Sequence, residues 1–221
     1  MRSLASAREF DGDASNPVLS RQAPADSGAR PASVLVLFGG HPDSADLPAD
    51  ATVLLTQRAS SLRQHRGQVA FPGGAADPGD GGPVGTALRE AQEETGLDPA
   101  GVTTLTVLEP IFVPPSGFEV TPVVAYWHAP TAVSVVDTGE VERVVEVPLA
   151  ELLDPVNRFV VRHPLGYRGP AFAVRGMLVW GFTSGVLSGI LETAGWSAPW
   201  DTDDVRDLET SLAAVGAELH P

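Results

Sequence analysis

Residues 73–97 constrain this chain more than any other stretch: a run rich in glycine, aspartate and proline passes directly into a helix-forming segment that carries Glu90, Glu93 and Glu94. Those three stand at i, i+3 and i+4, the spacing that makes side chains neighbours on an α-helix surface. Like charges so placed repel, so the segment is either a solvated acidic face or a face that holds a cation. Carboxylate oxygens are hard donors, and the cation they suit is a divalent metal such as Mg²⁺ or Mn²⁺. Pro83 fits a first helical turn and Gly96 a C-cap, which predicts a helix over 83–95. Val84, Ala87, Leu88 and Ala91 recur at helical spacing, and the small Ala87 and Ala91 would let the helix lie close to a sheet. At about 100° per residue, Glu90 and Glu94 project within about 40° of each other with Glu93 flanking them. The carboxylates then point toward Gly73 and Gly74 or toward solvent.

The charge balance narrows the partners. The formal net charge is -14, and all 14 basic residues are arginine. Nucleic-acid binding leans on basic surface, so no nucleic-acid partner is expected, and an anionic substrate has to be met locally by arginine or by metal. The absence of cysteine removes disulfides, thiol catalysis and Cys-ligated metals, in keeping with a cytoplasmic protein. No window reaches the apolar length of a membrane span, so no membrane partner is expected either. Residues 1–31 lack an apolar signal core and contain Glu9, Asp11, Asp13 and Asp26, so they read as a flexible arm and neither a secretory nor a transit segment. The expected domain covers 32–200, followed by an acidic tail over 201–221 with the option of a short helix.

Taken in order, 33–38 reads as a buried strand and 52–58 as a second. Arg58, Arg63 and Arg66 fall close together in an otherwise acidic chain. Their planar donor forks suit phosphate, although surface pairing with nearby acids would equally account for them. His65 reads as a structural hydrogen-bonding residue. Pro72, Gly73 and Gly74 look like a breaker. Residues 102–113 form one or two strands, and 119–127 another, whose Pro122 predicts an edge or irregular position. Residues 158–162 and 171–175 resemble a hairpin pair. The last helix, over about 180–194, is rich in Gly, Leu and Ile and could pack in the core or across a homodimer. Strands and helices alternate in mixed order, so the class is α/β or α+β.

Arg89-Glu90-Ala91-Gln92-Glu93-Glu94-Thr95-Gly96-Leu97 resembles the carboxylate half of the Nudix box, and 74–80 resembles its Gly-x5-Glu half. Asp80 stands where Glu is usual, and the gap from Asp80 to Arg89 is one residue longer. Upstream, Leu54-Leu55-Thr56, Arg58-Ala59, Arg63, Gly67 and Phe71-Pro72-Gly73-Gly74 are similar in spacing to the additional motif of the coenzyme A diphosphatase branch of Nudix hydrolases. Together the two motifs cover 54–97. The resemblance implies an α/β fold, a Nudix-type α/β/α sandwich with a mixed sheet, and Mg²⁺- or Mn²⁺-dependent cleavage of coenzyme A or its thioesters to 3′,5′-ADP and 4′-phosphopantetheine or its acyl form. It implies Glu90 and Glu94 as principal metal ligands, Glu93 as a further ligand or water-orienting carboxylate, the Gly74 carbonyl as an additional donor, and Arg89 as the residue that holds a carboxylate in place. Arg58 and Arg63 become the candidates for substrate phosphates, Glu140 for one more ligand or base, and 116–118 for a substrate-side loop. A Nudix hydrolase of another nucleoside diphosphate derivative, or a non-catalytic Nudix-like binding domain, would share much of this pattern.

Overall fold

The structure, a computed structural model, describes residues 18–42, 47–60, 67–114 and 116–217. Its first sheet is built on β1 (Arg30–Gly39), in which Leu35, Val36, Leu37 and Phe38 are all fully buried. A continuous apolar run of this kind belongs to a strand covered on both faces. Antiparallel to its far end lies β2 (Thr52–Arg58), which pairs with β1 only at Phe38–Val53 and Gly39–Thr52 before the two strands diverge. The wedge between them is filled by β3 (Val69–Ala70) against β2 and β4 (Gly73–Ala75) against β1. The Gly73-Gly74 pair is therefore strand, where a breaker was expected. A Cβ on Gly73 would sit 2.4 Å from the Ser33 carbonyl oxygen, so only glycine lets the chain come this close to β1.

On the other side of β1, β5 (Val102–Val107) and β6 (Ile111–Val113) pair antiparallel with β7 (Phe118–Trp127), and β7 runs parallel to β1. Pro122 is thus in an internal strand and not at an edge. Its carbonyl accepts from the Leu108 N–H, which shows that its missing N–H faces the break between β5 and β6, where the ladder needs no donor. The irregular position was legible, the edge position was not. β8 (Val141–Pro148) completes the mixed sheet along the far side of β2.

Helices cover both faces. Leu35, Leu37, Leu54 and Val123 pack with Ala87, Ala91 and Leu97 at α1 (Pro83–Thr95). β8 runs into the short α2 (Leu149–Leu153). Val36, Phe38, Leu55 and Val124 face the other way, against Val186, Leu187 and Ile190 of α3 (Gly181–Thr193). All residues from 183 to 191 are buried, so the last long helix packs in the core. The chain is an α/β/α sandwich around a mixed sheet.

Beyond α3 lies a second sheet that the sequence signalled only as a hairpin. β9 (Arg158–Arg162), β10 (Arg168–Val174) and β11 (Met177–Val179) are antiparallel, and β12 (Val205–Asp207) joins β9 in parallel. The segment after residue 200 continues into α4 (Leu208–Ala213), whose Leu208 and Leu212 pack on Phe159, Val161 and Ala171. Arg158 is only 2% exposed; its guanidinium pairs with Glu192 at 2.9 Å and lies over the rings of Phe172 and Trp200. No described helix is long and apolar enough to cross a membrane.

Candidate active site

The loop ahead of α1 explains the lengthened gap. Gly81 (φ 71°) and Gly82 (φ 116°) take conformations that side chains resist, and they absorb the additional residue before Pro83 starts the helix. Gly82 offers no capping side chain, and Asp80 instead ties the loop to the first turn of the helix: its Oδ2 accepts from the Thr86 hydroxyl at 2.8 Å and from the Asp77 N–H at 2.8 Å. Asp80 also accepts from Arg89 through both carboxylate oxygens, at 2.7 Å from Nε and 3.1 Å from Nη2. The side chain is 5% exposed, and the hydrogen bonds from Arg89 hold its pKa far below the usual carboxylate range. Asp80 therefore anchors Arg89, a task its position as a loop acid did not reveal.

Arg89 is the hub of the cluster. Besides Asp80 it reaches the Ala75 carbonyl at 3.1 Å, Glu90 at 2.9 Å and Glu93 at 3.0 Å. It thereby ties α1 to β4. Among the described residues no three Asp, Glu or His side chains are already drawn together as a cage for a cation. The donors instead lie in two places. Glu93, 59% exposed, stands on the solvent flank with Arg89. Glu90 and Glu94 turn inward.

Glu94 is 6% exposed and shares the buried face of α1 with Ala87 and Ala91. Its Oε2 accepts from the Gly73 N–H at 3.2 Å. Burial, reinforced by the nearby charges of Glu90 and Glu140, pushes its pKa up to about 7 against the opposing pull of that N–H and of Arg58. Glu90 is raised in the same direction, first by burial and then by Glu93 and Glu140, with Arg89 opposing. A Cβ on Gly74 would lie 2.5 Å from the Glu90 carboxyl carbon, so the β4 backbone is in direct contact with that carboxylate. Two inward carboxylates whose ionised forms burial disfavours, Glu90 already paired with Arg89 and Glu94 with no ion pair among the described residues, are a donor set that a hard divalent cation would satisfy.

Arg58 and Glu140 arrive from across the sheet. A register shift between Gln57 and Arg58 in the β2–β8 ladder is a bulge, a device that re-aims a side chain. The Arg58 Nε is buried and, among the described residues, has no hydrogen-bond partner. The adjoining Ala59 N–H donates to the Glu140 carbonyl at 2.9 Å, which fixes Glu140 beside the end of β2. Glu140 is exposed, yet near enough for its charge to act on both Glu90 and Glu94. Arg63, Arg66 and His65 lie outside the described residues, as does Pro115 in the expected substrate-side loop. In that loop the Ser116 hydroxyl bonds back to the Val113 carbonyl, closing a local turn.

Residues 28–164 match the family model described as NUDIX domain. A Citrobacter koseri protein named "Uncharacterized Nudix hydrolase NudL" is 41% identical over 148 residues, 61% of this chain and 71% of its own length. A Pectobacterium atrosepticum protein of the same name is 40% identical over 161 residues, 72% of this chain and 79% of its own. Among solved structures, the M. smegmatis Nudix hydrolase RenU is similar at 26% identity and a TM-score of 0.42, covering 57% of this chain and 74% of that one.

Proposed function

This chain belongs to the Nudix family and is a hydrolase of a nucleoside diphosphate derivative, and we propose that its substrate is coenzyme A or a coenzyme A thioester. The observation that carries the proposal is that the described parts of the stretch that resembles the coenzyme A diphosphatase branch, residues 54–60 and 67–74, lie beside the carboxylate cluster. These parts bring the Gly73 N–H to Glu94, the Gly74 backbone to Glu90, and Arg58, whose buried Nε has no partner among the described residues, near enough for its charge to act on Glu94.

In this proposal Glu90 and Glu94 hold Mg²⁺ or Mn²⁺, with Glu93 and the Gly74 carbonyl as further donors. When bound, the cation neutralises the diphosphate oxygens and acidifies water. Arg89, gripped by Asp80, positions Glu90 and Glu93 for that work. Arg58 and Arg63 meet the phosphates of the substrate, where a guanidinium fork supplies paired donors. Water adds through its oxygen to one phosphorus, the bridging P–O bond breaks, and a carboxylate takes the water's proton before passing it to solvent. Glu93 and Glu140 are the carboxylates with the exposure to do so. The products are 3′,5′-ADP and 4′-phosphopantetheine, or its acyl form. The protein works in the cytoplasm on a small molecule.

A panel of coenzyme A, acetyl-coenzyme A, a dinucleoside polyphosphate and a sugar nucleotide tests the substrate. The highest kcat/KM is expected on one of the two coenzyme A substrates; a much higher value on the dinucleotide or sugar nucleotide would move the assignment to another Nudix substrate.

A further inference from the structure

Residues 134–140 form a strap from the end of α1 to the start of β8, and it is gripped at both ends. The last carbonyls of an α-helix have no partner inside the helix, and the strap takes up two of those of α1. Ser134 N–H donates to the Thr95 carbonyl at 3.0 Å and Val136 N–H to the Glu94 carbonyl at 3.2 Å. Just upstream, Val133 packs with the cluster that holds Leu35, Ala87 and Ala91. At the other end the Glu140 carbonyl accepts from the Ala59 N–H at 2.9 Å, and Val141, 1% exposed, is in register with Arg58. Only residues 137–139 lie between the amide that holds the backbone of Glu94 and Glu140 itself.

The conformation of that short stretch sets where Glu140 stands, and Asp137 fixes it. Its Oδ1 accepts from the Gly139 N–H at 2.7 Å, and its carbonyl accepts from the Glu140 N–H at 3.2 Å and the Val141 N–H at 2.9 Å. An aspartate side chain that bonds to the backbone two residues on is a device for closing a turn. A Cβ on Gly139 would sit 3.0 Å from the Asp137 Oδ1, so the glycine lets the carboxylate reach in. Asp137, Gly139 and Glu140 are all exposed, so hydrogen bonds hold this turn and packing does not. Without the Asp137 acceptor, an exposed turn of this kind opens at little cost. Glu140 then moves with it, while Glu94 stays held by α1 and the Gly73 N–H.

We infer that Asp137 is a positioning residue for the hydrolysis: through the turn it closes, it holds the Glu140 carboxylate in a fixed place relative to the inward carboxylates of α1. The inference rests on the role given to Glu140 in the proposed function. Asp137 needs no contact with substrate or cation to act in this way. A reacting group displaced by about 1 Å costs on the order of a hundredfold in rate, so a turn that sets such a position is felt in kcat.

The test is a double-mutant cycle of Asp137→Ala, Glu140→Gln and the pair, run on whichever member of the substrate panel the wild type splits fastest, with melting curves to show that each variant is folded. Asp137→Asn, which keeps the acceptor and drops the charge, is the conservative variant. Asp137→Ala is expected to lower kcat by about tenfold to a hundredfold with KM within about twofold, and Asp137→Asn to recover kcat to within about threefold of the wild type. In the Glu140→Gln background, Asp137→Ala should cost less than about twofold more, because two residues that act through one group do not add. Losses that multiply in the double variant would show that Asp137 acts elsewhere, and an Asp137→Asn as slow as Asp137→Ala would show that its charge matters and its hydrogen bond does not; either overturns the inference. Wild-type kcat in Asp137→Ala or in Glu140→Gln would overturn it as well, with the coenzyme A assignment untouched. A panel led by another nucleoside diphosphate derivative would move that assignment alone, and the cycle on the new substrate would still decide the place of Asp137.

Discussion

α1 and α3 are both 13 residues long and cover opposite faces of the same sheet, yet they are built on opposing rules. α3 is buried continuously from Thr183 to Leu191, and the charge nearest its end, Glu192, serves the buried Arg158. α1 buries only Thr86, Ala87, Ala91, Glu94 and Thr95, and one of those five is a carboxylate whose ionised form the burial disfavours. A helix all of whose faces are apolar stabilises by the area it removes from water. A helix that buries an acid beside two more acids gives up stability at that position. The contrast sets packing against chemistry: the same architectural slot is filled by apolar burial on one side and, on the side of the proposed site, by a charge cluster that burial disfavours.

The contrast can be broken from either side. The largest effect is expected for Glu94→Gln, which removes a proposed metal ligand and should lower metal-dependent turnover by on the order of a thousandfold or more. Its far-ultraviolet circular dichroism should stay that of the wild type, and activity near the wild-type level would end the metal assignment. On the opposite face, Leu187→Ala should cost about 2–5 kcal/mol of stability, the range for emptying a buried leucine site. Denaturant unfolding measures that loss, while kcat per folded molecule should be unchanged.

A third effect concerns pH. Glu94 has its folded pKa raised to about 7 from an ordinary 4.5, so the folded state keeps a proton that the unfolded chain releases. Stability from this group is full below about pH 4.5, falls as pH rises through 7 and is then flat, a change of about 3 kcal/mol in metal-free protein. Chemical denaturation in EDTA at pH 5 and pH 8 should show this component in the wild type and lose it in Glu94→Gln. Added Mg²⁺ should restore stability at pH 8, because a cation favours the ionised carboxylate. The smallest effect is for Asp80→Ala. It frees Arg89 from its anchor without removing a proposed ligand, so activity and apparent metal affinity should fall about 10–100-fold, the scale for outer groups that orient ligands. A loss as large as that of Glu94→Gln would make Asp80 a ligand.

The two helices also differ in how much of them the sequence disclosed. Both ends of α1 were legible because Pro83 and Gly96 are chemically committed to those positions, and β2 was legible from its bounded apolar run. The carboxylate pattern marked the face proposed here to hold the cation, but spacing alone could not say that Glu94 is buried while Glu93 stands in solvent. That depends on Gly73 donating to Glu94 from 21 residues upstream. The wedge of β3 and β4 was hidden because these strands are too short to carry a period. β12 was hidden because Val205, Arg206 and Asp207 are all exposed and show no alternation. Asp80 read as a turn acid, since nothing local marks it as the partner of Arg89.

Incubation of the protein with coenzyme A in the presence and absence of Mg²⁺ or Mn²⁺, with the products identified by mass, tests the central claim most directly. The account predicts metal-dependent formation of 3′,5′-ADP and 4′-phosphopantetheine in equal amounts, abolished by EDTA. Intact coenzyme A with either metal, under conditions where another nucleoside diphosphate derivative is split, would contradict it.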